Sequence, residues 1–141
     1  MKILLATDGS RHSKRVVSYV VGHLKLLGGG KAELHLIHVR PPLPNRAVAA
    51  LSRSIVRSYY SDETRKALAA AKRTLQRAKV PYKEVHLVGD PGETIAAYAK
   101  KVRFDLLVLG SHGQGVLGNL LLGSVASKVL ASCKVPALII R

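Results

Sequence analysis

Apolar and polar positions follow two different periods along this chain. Five short runs rich in Val, Ile and Leu predict strands; they cover residues 2–6, 32–39, 82–88, 105–109 and 135–140. The run at 32–39 alternates, whereas the run at 105–109 has almost no polar position, as a strand buried on both faces of a sheet does. Between these runs, apolar residues recur every three or four positions, as at Val16, Val20 and Leu24, which predicts amphipathic helices. Strands that alternate with helices form a parallel sheet covered on both faces. The sequence therefore predicts one α/β domain over residues 1–141 with a sheet of five parallel strands. We expect this sheet to be doubly wound, with the strand order 3-2-1-4-5.

The polar stretch between the second and third strands predicts two helices. Apolar spacing is helical from Val48 to Tyr59, loses its register at Ser61-Asp62-Glu63 and resumes at Leu68. A serine followed by two acids is typical of a helix N-terminus, because the hydroxyl caps free amides and the acids favour the positive end of the helix dipole. A new helix is therefore expected to begin at Ser61.

The charge balance is strongly basic and uneven. The formal net charge is +15, and residues 40–83 supply +9 of it, with eleven Lys or Arg against Asp62 and Glu63. Two interpretations stay open: a solvated helix face, or a surface that binds nucleic acid or another polyanion. The apolar runs are too short to cross a bilayer, and Asp8 comes too early for a secretory leader, so we expect a cytoplasmic protein without a membrane span.

A glycine-rich segment follows the fourth strand. Residues 109–124 read LGSHGQGVLGNLLLGS and contain five glycines. Two familiar phosphate-binding motifs do not fit this segment. No lysine follows a glycine, as a P-loop requires. The literal Gly-x-Gly-x-x-Gly at 113–118 follows the fourth strand instead of the first, and no acid comes after Asp105 to hold a ribose.

A third pattern, Gly110-x2-Gly113-x9-Gly123-Ser124, suits an anion site. Gly110 allows the chain to turn off the strand, and Gly113 allows a backbone amide to approach a phosphate. The free amides of the last helix, which Gly123-Ser124 opens, would face the same anion, with the Ser124 hydroxyl as a further donor. The alternative is a flexible surface loop that ends in an ordinary serine N-cap.

The position of this pattern in the predicted fold favours the anion site. In the order 3-2-1-4-5 the first and fourth strands are neighbours where the winding reverses, and ligands bind outside the carboxyl ends of strands at such a reversal. Asp8 follows the first strand and Gly110 ends the fourth, so both would flank one crevice. Asp8 suits the hydroxyls of a ribose or a metal ion on phosphates. Its alternative role is to cap the helix that begins near Ser10.

Several of these motifs resemble those of the universal stress protein family. The resembling segments are ILLATDGS (3–10), the strand end at His38-Val39, DLLVLGSHG (105–113), LGSVA (122–126) and VPALII (135–140). The glycine spacing resembles the ATP-binding branch of that family. The resemblance implies an adenine nucleotide alpha hydrolase-like fold and a regulatory, ATP-binding role in stress response with little or no ATPase activity. It also implies a homodimer formed through the last strand, 135–140.

The resemblance implies the site residues as well. Asp8 would contact the ribose or a Mg²⁺ or Mn²⁺ ion on the phosphates, the backbone at Thr7 and Val39 would surround adenine, and the glycine pattern would hold the phosphates. The full set of expected nucleotide ligands is Ala6, Thr7, Asp8, Val39, Gly110, Ser111, His112, Gly113, Gly123, Ser124 and Val125.

Three histidines and two polar side chains are further candidates for functional residues. His112 is either a phosphate contact or base, or a hydrogen-bonding loop residue. His35 and His38 are expected on opposite faces of a strand, which argues against a shared metal. Gln114 and Asn119 are expected as polar lining.

Two other functions stay open. The protein could be a nucleic-acid or polyanion binder that uses residues 40–83, or an ATPase or nucleotidyl transferase. The second is less well supported, because the glycine loop has no Lys or Arg to stabilise a transferring phosphoryl group.

Overall fold

The computed structural model describes residues 1–29, 31–113 and 122–141. Strands and helices alternate along these residues, and each predicted strand is found within two residues of its expected ends. The elements are β1 (Lys2–Ala6), α1 (Arg11–Gly28), β2 (Glu33–Arg40), α2 (Asn45–Ala50), α3 (Arg53–Arg77), β3 (Lys83–Val88), α4 (Pro91–Val102), β4 (Leu106–Gly110), α5 (Ser124–Ser132) and β5 (Ala137–Ile140).

All strand pairs of the sheet are parallel, and the strand order is β3-β2-β1-β4-β5. β1 lies at the centre, with Ile3 opposite Leu34 of β2 and opposite Leu106 of β4. The winding therefore reverses between β1 and β4. The predicted fold class, a doubly wound parallel sheet in the order 3-2-1-4-5, is confirmed.

Alternate residues of the central strands build two cores, one on each face of the sheet. On the first face, α1 and α3 cover Ile3 and Leu5 of β1. On the opposite face, α4 and α5 cover Leu4 and Ala6. Because β1 is buried on both faces, its sequence is almost continuously apolar. None of the helices described here combines the length and the apolar character that a membrane crossing requires.

The prediction that a helix begins at Ser61 is wrong. α3 continues from Arg53 to Arg77, and Ser52 caps it by accepting a hydrogen bond from the Ile55 amide at 3.3 Å. The helical stretch is broken earlier, at Leu51, where the backbone is extended between α2 and α3.

The composition of α3 explains why its apolar stripe loses register. The buried residues of this helix are Leu68, Ala71 and Leu75, all in its C-terminal half, so the N-terminal half has no core to fill. Asp62 and Glu63 form ion pairs with cations one turn later, at Arg65 and Lys66, instead of marking a helix start. The helix continues because its backbone bonds do not depend on an apolar stripe.

Candidate functional site

A crevice of about 290 Å³ opens where the carboxyl ends of β1 and β4 meet. The turn between β1 and α1, the end of β2, the start of the glycine loop and the first turn of α5 form its walls. The predicted nucleotide ligands all line it, namely Ala6, Thr7, Asp8, Val39, Gly110, Ser111, His112, Gly113, Gly123, Ser124 and Val125. Gln114 and Asn119 lie outside the described residues. The structure thus brings the predicted set together, while its role as a set of ligands stays a prediction.

Asp8 is half-buried at the start of α1 and is held by two serines. Its Oδ1 accepts hydrogen bonds from the Ser10 amide at 2.9 Å and from the Ser13 hydroxyl. Burial acts to raise the pKa of Asp8, but the hydrogen bonds from Ser13 and Ser10 outweigh it, so the pKa lies below its ordinary value. Asp8 is therefore a carboxylate at neutral pH.

The helix cap at this corner is Ser10. Its hydroxyl oxygen accepts a hydrogen bond from the Ser13 amide at 3.2 Å, which is the usual N-cap bond. Asp8 instead binds the amide of the cap residue itself. The alternative role for Asp8, as the helix cap, is therefore wrong, and its second oxygen, Oδ2, points towards the glycine loop.

Gly113 faces that oxygen directly. A Cβ built on Gly113 would lie 2.7 Å from Asp8 Oδ2, closer than two such atoms approach in real proteins. Any larger residue at this position would push the carboxylate aside. The backbone can therefore lie this close to the Asp8 carboxylate because Gly113 has no side chain.

The first turn of α5 supplies the third wall. Gly123 is its N-cap and has no side chain to occupy the free amides of the first turn. The Gly123 amide donates to the Ser111 carbonyl at 2.6 Å, which holds the helix start against the end of β4. Ser124 is the first helical residue, so the alternative of an ordinary serine N-cap is wrong. Ser124 and Val125 line the crevice, and both lie in the first turn of α5, at the positive end of the helix dipole.

His38 lies deeper, beneath the β1 end of the crevice. Its Nδ1–H donates to the Thr7 carbonyl at 2.9 Å, because a carbonyl can only accept. Its other nitrogen, Nε2, is buried without a hydrogen-bond partner in the described part of the chain. The Thr7 amide also donates, to the Ile37 carbonyl at 3.0 Å, so both backbone groups of Thr7 already have bonds inside the protein.

Comparison with known proteins agrees with this architecture. A family model described as the universal stress protein family matches residues 1–141.

The chain belongs to the universal stress protein family.

Two relatives cover almost the whole length of this family member. The universal stress protein in the QAH/OAS sulfhydrylase 3′ region of Thermus aquaticus is 31% identical over 144 residues, which cover 99% of this chain and 97% of the relative. Universal stress protein MJ0577 of Methanocaldococcus jannaschii is 27% identical, with 99% and 94% coverage.

Solved structures of the family have the same fold. The MJ0577 structure superposes with a TM-score of 0.78 at 26% identity, covering 99% of this chain and 94% of that one. A universal stress protein solved in complex with cAMP gives a TM-score of 0.67 at 25% identity, covering 100% and 96%. The second of these is an adenine-nucleotide complex.

Sequence reasoning missed several residues that line the crevice of this family member. Ser13 is one turn into α1, Arg40 ends β2, and Pro91 and Ile95 begin α4. The rule that ligands bind at the carboxyl ends of parallel strands would have found Arg40 and Pro91, because both follow strand ends. No sequence signal marks Ile95 or the orphaned nitrogen of His38, since both depend on long-range packing.

His35 and His38 lie on opposite faces of β2, as predicted. His35 packs edge-on to Phe104, with ring centroids 4.8 Å apart, whereas His38 bonds to Thr7 on the other face of β2. His112 lines the crevice, and its Nδ1 lies 3.0 Å from the Ser111 hydroxyl. Over residues 1–29, 31–113 and 122–141, no cluster of three or more His, Cys, Asp or Glu is placed to hold a metal by itself.

Proposed function

We propose that the crevice binds an adenine nucleotide, with ATP and a Mg²⁺ or Mn²⁺ ion as the preferred ligand, and that its occupancy regulates the dimer or a partner. The observation that carries this proposal is the close approach of Gly113 to Asp8 Oδ2 beside the first turn of α5. That arrangement offers backbone donors to a polyphosphate and a carboxylate to its metal or ribose. A universal stress protein of the same fold in complex with cAMP supports the adenine-nucleotide class.

The phosphates would lie against α5 and the glycine loop. The free amides of Ser124 and Val125, the bare backbone of Gly113 and the Ser124 hydroxyl are neutral donors that suit phosphate oxygens. Binding by amides and a helix dipole needs no lysine, which fits a loop without one.

The base and ribose would lie towards β1 and β2. Val39 and Ile95 offer apolar contact there. The backbone at Thr7 and Val39 would surround the adenine.

Asp8 suits a divalent ion that is held mainly by phosphates. It is ionised at neutral pH, and Oδ2 faces the loop while Oδ1 is bonded to Ser10 and Ser13. Mg²⁺ is commonly bound by one or two carboxylates together with substrate phosphates, which matches a site with one acid. When bound, the ion would neutralise phosphate charge.

We expect little or no ATPase activity. Of the described residues that line the crevice, Arg40 is the one Lys or Arg, and it is held away by Glu63 at 3.0 Å and by the Tyr59 hydroxyl at 2.9 Å. A transferring phosphoryl group would therefore lack the cation that stabilises its charge. Cytoplasmic location and a homodimer through β5 are parts of the same proposal.

Thermal unfolding with nucleotide tests this function. Nucleotide at a hundredfold excess over its Kd should stabilise the protein by about 2.7 kcal/mol. Gly113→Val should abolish that gain, because its side chain would collide with Asp8. Gly22→Val is the matched control, since no atom lies within 4 Å of a Cβ at Gly22, and it should keep the gain.

Native mass spectrometry of the purified protein identifies the nucleotide that is bound. A Gly113→Val protein that is stabilised by ATP as strongly as the wild type would contradict the proposed site. Steady phosphate release that Asp8→Ala abolishes would show an enzyme instead of a regulatory binder.

A further inference from the structure

A second, larger groove lies between α3 and the edge strand β3. Its volume is about 790 Å³, and it is lined by residues of α2, α3 and β3. It shares no lining residue with the nucleotide crevice. A ligand of this groove would therefore contact a different set of residues from those proposed to bind the nucleotide.

Two arginines point into the groove because of where they lie on α3. Leu68, Ala71 and Leu75 form the buried stripe of this helix. Counting back from Leu68 in helical steps, the same stripe continues through Thr64, Tyr60, Arg57 and Arg53, all of which line the groove. Arg53 and Arg57 thus occupy the sheet-facing side of the helix, where its N-terminal half has no core to cover.

The charge of these two arginines is not neutralised by neighbours. The one carboxylate among the lining residues, Glu84, bonds to Lys72 at 2.7 Å, and Arg65 bonds to Asp62 at 2.8 Å. No carboxylate in the described part of the chain forms an ion pair with Arg53 or Arg57. The groove is therefore an electropositive channel.

The opposite wall of the groove is an open strand edge. β3 is the last strand on its side of the sheet. The Gly89 amide donates to the Arg40 carbonyl at 2.9 Å, and alternate residues of a parallel strand bond to the same neighbour. Glu84, His86 and Val88 therefore direct their backbone amides and carbonyls away from β2, at the open edge of the sheet beside the groove that they line.

We propose that this groove binds an extended, acidic segment of a partner protein, which adds a strand to the open edge of β3. The edge supplies backbone hydrogen bonds, and Arg53 and Arg57 select for Glu or Asp side chains. Leu51, which is 40% exposed, and Val88, which is 50% exposed, offer apolar contact for the alternate residues of such a strand.

The same observations favour a peptide over a nucleic acid. An unpaired row of backbone donors and acceptors matches a strand, whereas a phosphate backbone offers acceptors only. Tyr60 of α3 and His86 of β3 are the two aromatic rings among the lining residues, one on each wall, so the groove has no row of rings on which successive bases stack. Binding of nucleic acid across residues 40–83 is the competing outcome of the test.

The test is a titration of the full ¹⁵N-labelled chain with a synthetic peptide that alternates glutamate and valine and is blocked at both ends. The amide signals of Glu84, His86 and Val88 should shift. The double variant Arg53→Glu, Arg57→Glu should weaken binding about tenfold or more. The matched control, Arg73→Glu with Arg77→Glu, makes the same charge change on exposed residues of α3 outside the groove and should bind within about twofold of the wild type.

A backbone variant separates strand addition from attraction of charge alone. Val88→Pro removes one outward amide of β3 without changing any charge, and proline is tolerated at such edge positions. It should weaken the peptide several-fold. Binding that Val88→Pro leaves intact, or that both arginine pairs weaken equally, would overturn the proposal.

Two further results would also overturn it. One is the absence of any amide shift with the peptide. The other is tighter binding of an oligothymidylate probe through the same arginines, because that would identify a polyanion surface. Saturating ATP should leave the peptide titration unchanged, so failure of the nucleotide proposal and failure of this one are distinguishable.

Discussion

At Gly9, the turn after β1 packs directly against the middle of α3. Its φ is +80°, a left-handed conformation that residues with a Cβ rarely adopt. A Cβ at Gly9 would also lie 2.8 Å from the Cα of Ala67, so the turn and the helix backbone touch here. The neighbouring Asp8 is positioned by this same turn.

We expect Gly9→Ala to lower the free energy of unfolding by about 1–3 kcal/mol or more, because it combines a strained φ with a backbone collision. Gly22→Ala, in open space within α1, should instead raise it by about 0.5–1 kcal/mol. Urea denaturation of both variants measures the contrast. Equal effects at the two glycines would contradict the close contact between Gly9 and α3.

Glu33 is a surface carboxylate with two partners. Its Oε1 accepts from His35 Nε2 at 2.9 Å and from Lys83 Nζ at 2.6 Å. These bonds, that from His35 first and that from Lys83 second, lower the pKa of Glu33 to about 2 from an ordinary 4.5. A carboxylate whose pKa is lowered on folding stabilises the native state above its unfolded pKa.

We expect Glu33→Gln to be less stable than the wild type above about pH 4.5, with the difference disappearing as the pH falls towards about 2. Urea denaturation at a series of pH values measures this difference. In a Lys83→Gln background the difference should be smaller, because one partner is already gone. A difference that grows on acidification would have the wrong sign.

At the scale of elements, α3 combines two roles in one helix. Its C-terminal half fills the core with Leu68, Ala71 and Leu75, and its N-terminal half forms a wall of the basic groove. Arg40 connects this helix to the crevice between β1 and β4, since it lines that crevice and bonds to Glu63 of α3 at 3.0 Å.

A pair of serine substitutions tests where α3 begins. Ser52→Ala should cost about 1 kcal/mol of stability, because it removes the cap on the Ile55 amide. Ser61→Ala should be neutral or stabilising by up to about 0.5 kcal/mol, since alanine is the better residue inside a helix. Thermal or urea unfolding measures both. The opposite order would restore a helix start at Ser61.

At the scale of the whole molecule, the sheet has two edges of different character. β3 is bordered by the basic groove, whereas β5 is short and half-buried, with side chains in both cores. The carbonyls of Pro136 and Ile140 accept bonds from the amides of Leu107 in β4 and of Ser111 just after it, so Ala137 and Ile139 direct their backbone groups outward. The proposed homodimer would pair these outward groups with those of a second copy.

We expect light scattering after gel filtration to give twice the chain mass of 15.2 kDa. Ala137→Pro should shift the protein towards monomer, because it removes an outward amide with little change in side-chain volume. Val88→Pro, the equivalent change at the other edge, should leave the dimer intact. A monomeric wild type, or a dimer that only Val88→Pro breaks, would contradict an interface at β5.

Much of the fold was predictable because its causes are local. Five short runs rich in Val, Ile and Leu were enough to locate the strands. The runs of the central strands β1 and β4 are almost continuously apolar because both faces of these strands are covered. Helices between successive strands then require a parallel sheet. The glycine spacing from Gly110 to Gly123, with Asp8 after the first strand, was enough to predict that these residues flank one crevice, because the carboxyl ends of parallel strands share an edge. The other predicted ligands, such as Val39, were expected only from the family resemblance.

Other features depend on which distant segments meet, and only the tertiary structure decided them. α3 begins after the Ser52 cap, and its apolar stripe loses register because its first half has no core to cover, which no local pattern reveals. Only a helix that continues through Ser61 puts Arg53 and Arg57 on the stripe of Leu68, and this pair then lines a groove, whereas Arg73 and Arg77 are exposed. The sequence by itself determined the strands, the charge and the glycine loop, whereas long-range packing determined which of those charges line a groove and which histidine nitrogens are buried.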